Sequence, residues 1–134
     1  AVSAVGITMN LTNQEWNTFL NTRKSGDYSI ARNGWIADYN DPVSFLDMFM
    51  TDNGNNDAHY SNAEYDAIMT KVLSDSDAAG RMELMHQAED LLVGEDQAIA
   101  PLYYYSQPYM VADDVHGMYY TPLGNFLFFH ATKG

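Results

Sequence analysis

Apolar and polar residues alternate along residues 6–11, where Ile7, Met9 and Leu11 are separated by Thr8 and Asn10. A period of two is the pattern of a half-buried strand. Directly after it, Thr12-Asn13-Gln14-Glu15 matches a capping box, with Leu11 and Trp16 placed as a hydrophobic staple. A helix is therefore predicted over 13–24, burying Trp16, Phe19 and Leu20. Ser25-Gly26-Asp27 ends it, and residues 28–35 read as a second strand. Strand, helix and strand with short connections predict a βαβ unit with parallel strands, hence an α/β fold class.

The pattern then changes to helical spacing. Asp41 before Pro42 predicts a helix start, because proline at the first helical position loses no hydrogen bond, and Phe45, Leu46, Met48 and Phe49 are its predicted buried face. Residues 51–57 are polar, rich in Asn and carry a Gly, which predicts a loop. Ser61-Asn62-Ala63-Glu64 is a second capping box, followed by Tyr65, Ile68, Met69, Val72 and Leu73 on one helical stripe. Asp75-Ser76-Asp77 breaks that helix and caps another, which is predicted to run to about Val93 with Leu84, Met85, Ala88, Leu91 and Leu92 inward and Gly94 at its end. So short a turn predicts an antiparallel helical hairpin. Residues 98–105 form a continuous apolar run, predicted as a strand buried on both faces, with Pro101 placing it at an edge or at the entry to a sheet. Short strands are predicted at 110–111 and 115–120, and the aromatic run 126–130 requires a cover.

Composition narrows the function classes. A chain of 134 residues, 46% hydrophobic and 13% aromatic, has apolar material for one packed domain. Its net charge of -12 argues against nucleic acid and against an anionic membrane surface. The absence of cysteine removes disulfides, thiolate catalysis and cysteine zinc sites together. No apolar run approaches the roughly 20 residues of a spanning helix. The chain opens Ala1-Val2-Ser3-Ala4-Val5-Gly6 without a signal-peptide pattern, so it reads as a processed chain or as a piece of a longer one.

Candidate chemistry concentrates in residues 31–42, which hold one of three arginines (Arg32), one of two tryptophans (Trp35) and the aspartates Asp38 and Asp41. A cation, an aromatic plate and carboxylates at the exit of a strand are parts of a small-ligand site, and equally parts of a turn. Asp38 and Asp41 are a formal acid/base pair, as in an acidic hydrolase, but helix capping gives Asp41 a sufficient structural role. Arg32 is read either as a solvated strand edge or as a partner for Asp38 or a ligand carboxylate, and Trp35 by itself as a core residue before a ligand contact. His59, His86, His116 and His130 lack metal-type spacing, and no nucleophile elbow or glycine-rich phosphate loop is present, so no catalytic residue, metal or cofactor is assigned. Asp52, Asn53, Asn55 and Asp57 offer oxygen ligands for calcium, but without the distal glutamate of an EF-hand, and a structural loop is the preferred reading.

At these residues the chain resembles the C-terminal quarter of the oligopeptide- and dipeptide-binding proteins that feed bacterial ABC importers. The shared run is Arg32-Asn33-Gly34-Trp35-Ile36-Ala37-Asp38-Tyr39-Asn40-Asp41-Pro42 with Ser44-Phe45-Leu46, then Asn55-Asn56, Ala58-His59-Tyr60, Tyr65-Asp66, Arg81, Ala88-Glu89 and Ala98-Ile99-Ala100-Pro101-Leu102-Tyr103-Tyr104-Tyr105. The resemblance implies part of the C-terminal lobe of a type II periplasmic-binding-protein fold, non-enzymatic, extracytoplasmic and carried by a lipoprotein. It implies short peptides as ligands and membrane permease subunits as partners of the complete protein. By the same resemblance Asp38 receives a peptide's α-ammonium, the backbone at Gly34 and Ile36 pairs with the peptide main chain, Trp35 lines side-chain pockets, Arg32 satisfies ligand carboxylates or bridging waters, and Tyr105 faces the cleft. Where some relatives carry a cysteine after the tryptophan, this chain has Ile36, a change a backbone contact tolerates. Residues 1–119 are expected to form the lobe core and residues 120–134 a tail that returns toward the other lobe. The alternatives are a structural fragment that oligomerises through its apolar tail and, below it, a hydrolase using Asp38 and Asp41.

Overall fold

A computed structural model describes residues 2–134, which divide into two units, one up to Arg32 and one from Asn33 onward. In the first unit a 3-10 turn, Val2–Val5, precedes helix α1, Trp16–Ser25. The helix begins later than the capping box predicts. Glu15, not Thr12, is the cap, its carboxylate accepting from the N–H groups of Asn17 (2.9 Å) and Thr18 (3.2 Å). A carboxylate satisfies two orphan donors at once and suits the positive end of the helix dipole. Gly26, at φ 74°, closes the helix in the left-handed conformation that glycine adopts without strain. Phe19 and Leu20 are half-buried, but Trp16 is exposed, contrary to expectation.

The second unit is built on two antiparallel helices, α2 (Ala63–Ser74) and α3 (Ala78–Glu89), as the short Asp75–Asp77 connection predicts. Asn62 caps α2 in place of the predicted Ser61, its side-chain oxygen accepting from Glu64 (2.8 Å) and Tyr65 (3.3 Å). Asp77 caps α3 through Gly80. Between the helices lie Tyr65, Met69, Val72, Met85, Ala88 and Leu92, with Val43, Met48 and Phe49 closing the core from the preceding segment. Helix α3 does not stop at Val93. It widens into a π-helical segment, Asp90–Glu95, and Leu91 and Leu92 remain buried. On the predicted stripe of α2, Leu73 is 55% exposed, because α3 covers only the arc around Met69 and Val72.

Residues 42–49 fold as two 3-10 turns, Pro42–Phe45 and Asp47–Phe49, in place of the predicted α-helix. The tighter winding leaves Phe45 exposed and turns Val43 into the core. The residues predicted as strands at 6–11, 28–35, 98–105 and 110–111 join no sheet among the described residues, and the βαβ unit does not form there. A strand needs a neighbour to take its N–H and C=O groups, and period-two alternation does not supply one. In the run 98–105, Ala98 and Ile99 rest against the core, but Leu102 and Tyr104 are exposed, not buried on both faces.

The predicted strand 115–120 is split at Gly117 into β1 (Val115–His116) and β2 (Tyr119–Tyr120). Gly117 has φ +74°, and a Cβ there would collide with the His130 carbonyl. β2 pairs antiparallel with β3 (Phe126–Leu127), Tyr120 opposite Phe126, and β1 pairs with β4 (Thr132–Lys133). Tyr109, Tyr120 and Phe126 bring their rings to centroid distances of 4.8 to 5.4 Å and half-bury the tail among themselves. Phe128 and Phe129 remain exposed.

The two positions on α2 make a direct test. Met69→Ala is expected to cost about 2–5 kcal/mol in urea unfolding. Leu73→Ala, one turn on but outside the helix interface, is expected to stay within about 0.5 kcal/mol.

Candidate functional site

The 35–44 segment is organised by a buried hydroxyl. Ser44 is 2% exposed, and its Oγ accepts hydrogen bonds from the Trp35 indole (3.4 Å) and from the Asp38 backbone N–H (3.1 Å). Trp35 lies half-buried against the core, so the expected core-packing role holds for one part of the ring surface. The Asp38 side chain is exposed, and among the described residues no hydrogen bond engages its carboxylate. Gly34 is exposed, and its N–H is held by the Asn33 side chain (2.8 Å). Ile36 is 78% exposed. Its N–H and C=O make no hydrogen bond among the described residues.

Asp41 behaves as the sequence predicts of a cap. Its carboxylate accepts from the Val43 N–H (2.9 Å) and also pairs with Arg81 (2.8 Å). Arg81 in turn donates from Nε to the Val72 carbonyl in the last turns of α2 (3.0 Å). One guanidinium thus ties the site segment to both helices. The hydrogen bond from Arg81, then that from Val43, holds the Asp41 carboxyl below the usual carboxylate range. With cap and ion pair both claiming Asp41, the paired-carboxylate arrangement of a hydrolase has lost one partner.

Around Tyr39 the remaining charge is negative. Its hydroxyl is pushed above the ordinary tyrosine value first by burial, then by Asp47, Asp41 and Asp38. Asp47 is likewise raised, first by burial and also by the charge of Asp38, against hydrogen bonds from Met48 and Tyr39. The charge of Asp38 therefore reaches Asp47 and opposes its ionisation, and a cation placed at Asp38 relieves that effect. Among the described residues no group of three His, Asp or Glu is placed to hold a metal ion. In the Asn-rich loop Asn53 accepts from the Asn55 N–H (2.9 Å), and Asn56 exchanges hydrogen bonds with Tyr60 (2.7 and 3.1 Å).

The remaining sequence-predicted site residues lie elsewhere on the chain. Arg32 is exposed and ends the first unit. Tyr105 is 69% exposed, its ring edge-on to Tyr103 at 5.0 Å. Sequence reasoning assigned no role to Ser44 or Arg81. Ser44 looks like any small polar residue in a helix start, and forty residues separate Arg81 from Asp41.

Comparisons with known proteins place the chain in a family. The family of bacterial extracellular solute-binding proteins, family 5 (middle region), matches residues 1–57, which include the whole Trp35–Ser44 arrangement. The periplasmic oligopeptide-binding protein OppA of Salmonella typhimurium is 44% identical over 113 residues, 84% of this chain and 21% of that protein. This chain is a partial family 5 solute-binding protein. Among solved structures, Haemophilus influenzae OppA in complex with RPPGFSPFR superposes with a TM-score of 0.72 at 41% identity, over 81% of this chain and 21% of that one. The substrate-binding domain of an oligopeptide ABC transporter from Bacillus anthracis does so with a TM-score of 0.80 at 32% identity, over 96% and 25%. The chain spans about a fifth of the length of the curated family 5 relatives it matches. In this family setting the mixed α/β class stands, although the parallel βαβ unit does not.

The Asp41 pair gives a pH test. Because the folded pKa is lowered, the stability it supplies is present above the ordinary carboxyl range and is lost as pH falls through the lowered value. Arg81→Gln is expected to unfold at lower urea concentration than wild type at pH 7, with the gap narrowing below about pH 4.

Proposed function

We propose that this chain carries part of the ligand site of an extracytoplasmic receptor that binds short peptides for an ABC importer, without chemical turnover. The observation that carries this reading is the exposed Asp38 carboxylate beside residues 34–37, which join no strand ladder among the described residues, with Trp35 fixed next to it. A receptor for many sequences needs contacts common to all peptides: the main chain and the terminal charge. The backbone at Ile36, which makes no hydrogen bond among the described residues, and that at Gly34, whose N–H would exchange the Asn33 side chain for a peptide carbonyl, offer strand addition, and Asp38 offers a partner for the α-ammonium. Trp35 supplies a wall for side-chain pockets, Tyr105 faces the cleft, and Arg32 supplies a counter-charge for ligand carboxylates or bridging waters. Relatives solved with peptide bound support this reading.

The receptor would act outside the cytoplasm, as its periplasmic relatives do, held at the membrane as a lipoprotein and delivering to permease subunits. Among the described residues no helix is long and apolar enough to cross a membrane. Residues 1–119 would serve as lobe core and residues 120–134 as the return toward the other lobe. A fifth of the relatives' length supplies half of a cleft at most, so the isolated chain should bind peptide far more weakly than the complete receptor. A second reading, self-association of the isolated chain, is favoured by the exposure of Leu102, Tyr104 and Met110. Light scattering that finds a monomer at high concentration excludes it.

Calorimetry on the complete receptor tests the ammonium role. N-acetylation of tri-alanine should weaken binding by about tenfold or more, the loss of a charge-assisted hydrogen bond worth about 1.5–3 kcal/mol. Asp38→Asn should weaken the free-amine peptide to the same degree and leave the acetylated one unchanged. If acetylation costs nothing in wild type, Asp38 does not hold the ammonium.

A further inference from the structure

We infer that Ser44 is a positioning residue of the peptide site: its buried hydroxyl fixes the distance and orientation between the Trp35 platform and the Asp38 carboxylate. The inference rests on the peptide-binding reading above and adds to it a residue that makes no ligand contact of its own.

A hydroxyl has two acceptor positions and one donor. Here both acceptor positions serve the same segment, one taking the Trp35 indole N–H at 3.4 Å and the other the Asp38 backbone N–H at 3.1 Å. Without that oxygen two N–H groups in a partly buried setting lose their partner, and the intervening residues, Ile36 and Ala37, have no described hydrogen bond to replace it. The choice of backbone over side chain matters. Ser44 holds the Asp38 main chain and leaves the carboxylate for a cation.

The anchor itself is rigid. Ser44 lies in the 3-10 turn Pro42–Phe45, which starts at the Asp41 cap, and Asp41 is pinned to Arg81 at 2.8 Å. Its neighbour Val43 is 3% exposed in the core. The Trp35 indole and the Asp38 backbone are therefore hydrogen-bonded to that turn through one shared oxygen, and an error in that reference moves wall and charge relative to each other. A ligand that uses both contacts would feel the error more than one that uses only the wall.

The test uses the complete receptor and calorimetry with tri-alanine and N-acetyl-tri-alanine. Ser44→Ala is expected to reduce the preference for the free amine by about fivefold to tenfold, the scale of two lost neutral hydrogen bonds, with little change for the acetylated peptide. A merely structural residue would lower both affinities together and leave their ratio alone. Ser44→Cys fills the same space with a weak acceptor and is expected to show the same loss, so the question stays answerable if the alanine variant does not fold. Retention of the wild-type ratio in either folded variant overturns the positioning role while the peptide-site reading stands. No free-amine preference in wild type overturns the ammonium reading, and the positioning role with it.

Discussion

Tyr65 joins the core to the turn on which the site segment is built. Its ring is fully buried between α2 and α3, edge-on to Tyr60 at 5.3 Å, and its hydroxyl donates to the Leu46 carbonyl at 2.7 Å. Burial pushes the hydroxyl's pKa up, so the proton that makes this bond is retained across any ordinary pH. Leu46 closes the 3-10 turn that contains Ser44. The helical hairpin thus does more than supply apolar burial: it fixes the end of the turn whose other residues hold Trp35 and Asp38. Around the same ring, Tyr60 donates to Asp96 at 2.6 Å, and Asn62 adds a second donor at 2.7 Å, tying the start of α2 to the exit of the π-helical segment. Among the described residues no buried side-chain nitrogen or oxygen lacks a partner, as the cost of an orphaned one demands.

What the sequence revealed follows the range of the interactions. The hairpin was legible because the spacing of Tyr65, Met69 and Val72 and the caps at Asn62 and Asp77 are local signals, read within a turn or two. Asp41 as a cap before Pro42 was legible for the same reason. The strands were not, since alternation at Ile7, Met9 and Leu11 states which side chains share a face and is silent on which backbone will pair with them. Tyr103 to Tyr105 misled in the same way, β-forming residues in a segment that has no ladder to join here. In the site, Asp38 and Trp35 stood out by rarity and chemistry. Ser44 and Arg81 act through three-dimensional contacts that no short spacing encodes.

Charge shapes the same small region. The chain carries a net charge of -12, so a carboxylate beside other carboxylates is its ordinary condition. Asp41 is set apart by receiving a guanidinium, and that spares the Asp38 neighbourhood one of its competing demands for a cation. The region is left with negative charge that no residue among its described contacts cancels at Asp38, an electrostatic arrangement suited to an ammonium and repellent to a free carboxylate.

The two tryptophans differ in a way that outlasts the question of ligand. Trp16 lies 57% exposed on α1, in the unit that ends at Arg32, and its nearest described aromatic neighbour is Phe19 at 5.8 Å. Trp35 belongs to the other unit, half-buried, with its indole hydrogen-bonded to a buried hydroxyl. Their emission should separate, red-shifted for the first and blue-shifted for the second, with the second sensitive to whatever settles on residues 34–38. The molecule therefore contains one tryptophan for each unit, and replacing Trp16 with phenylalanine leaves a receptor fragment whose indole emission, excited apart from the tyrosines, reports on the site segment alone.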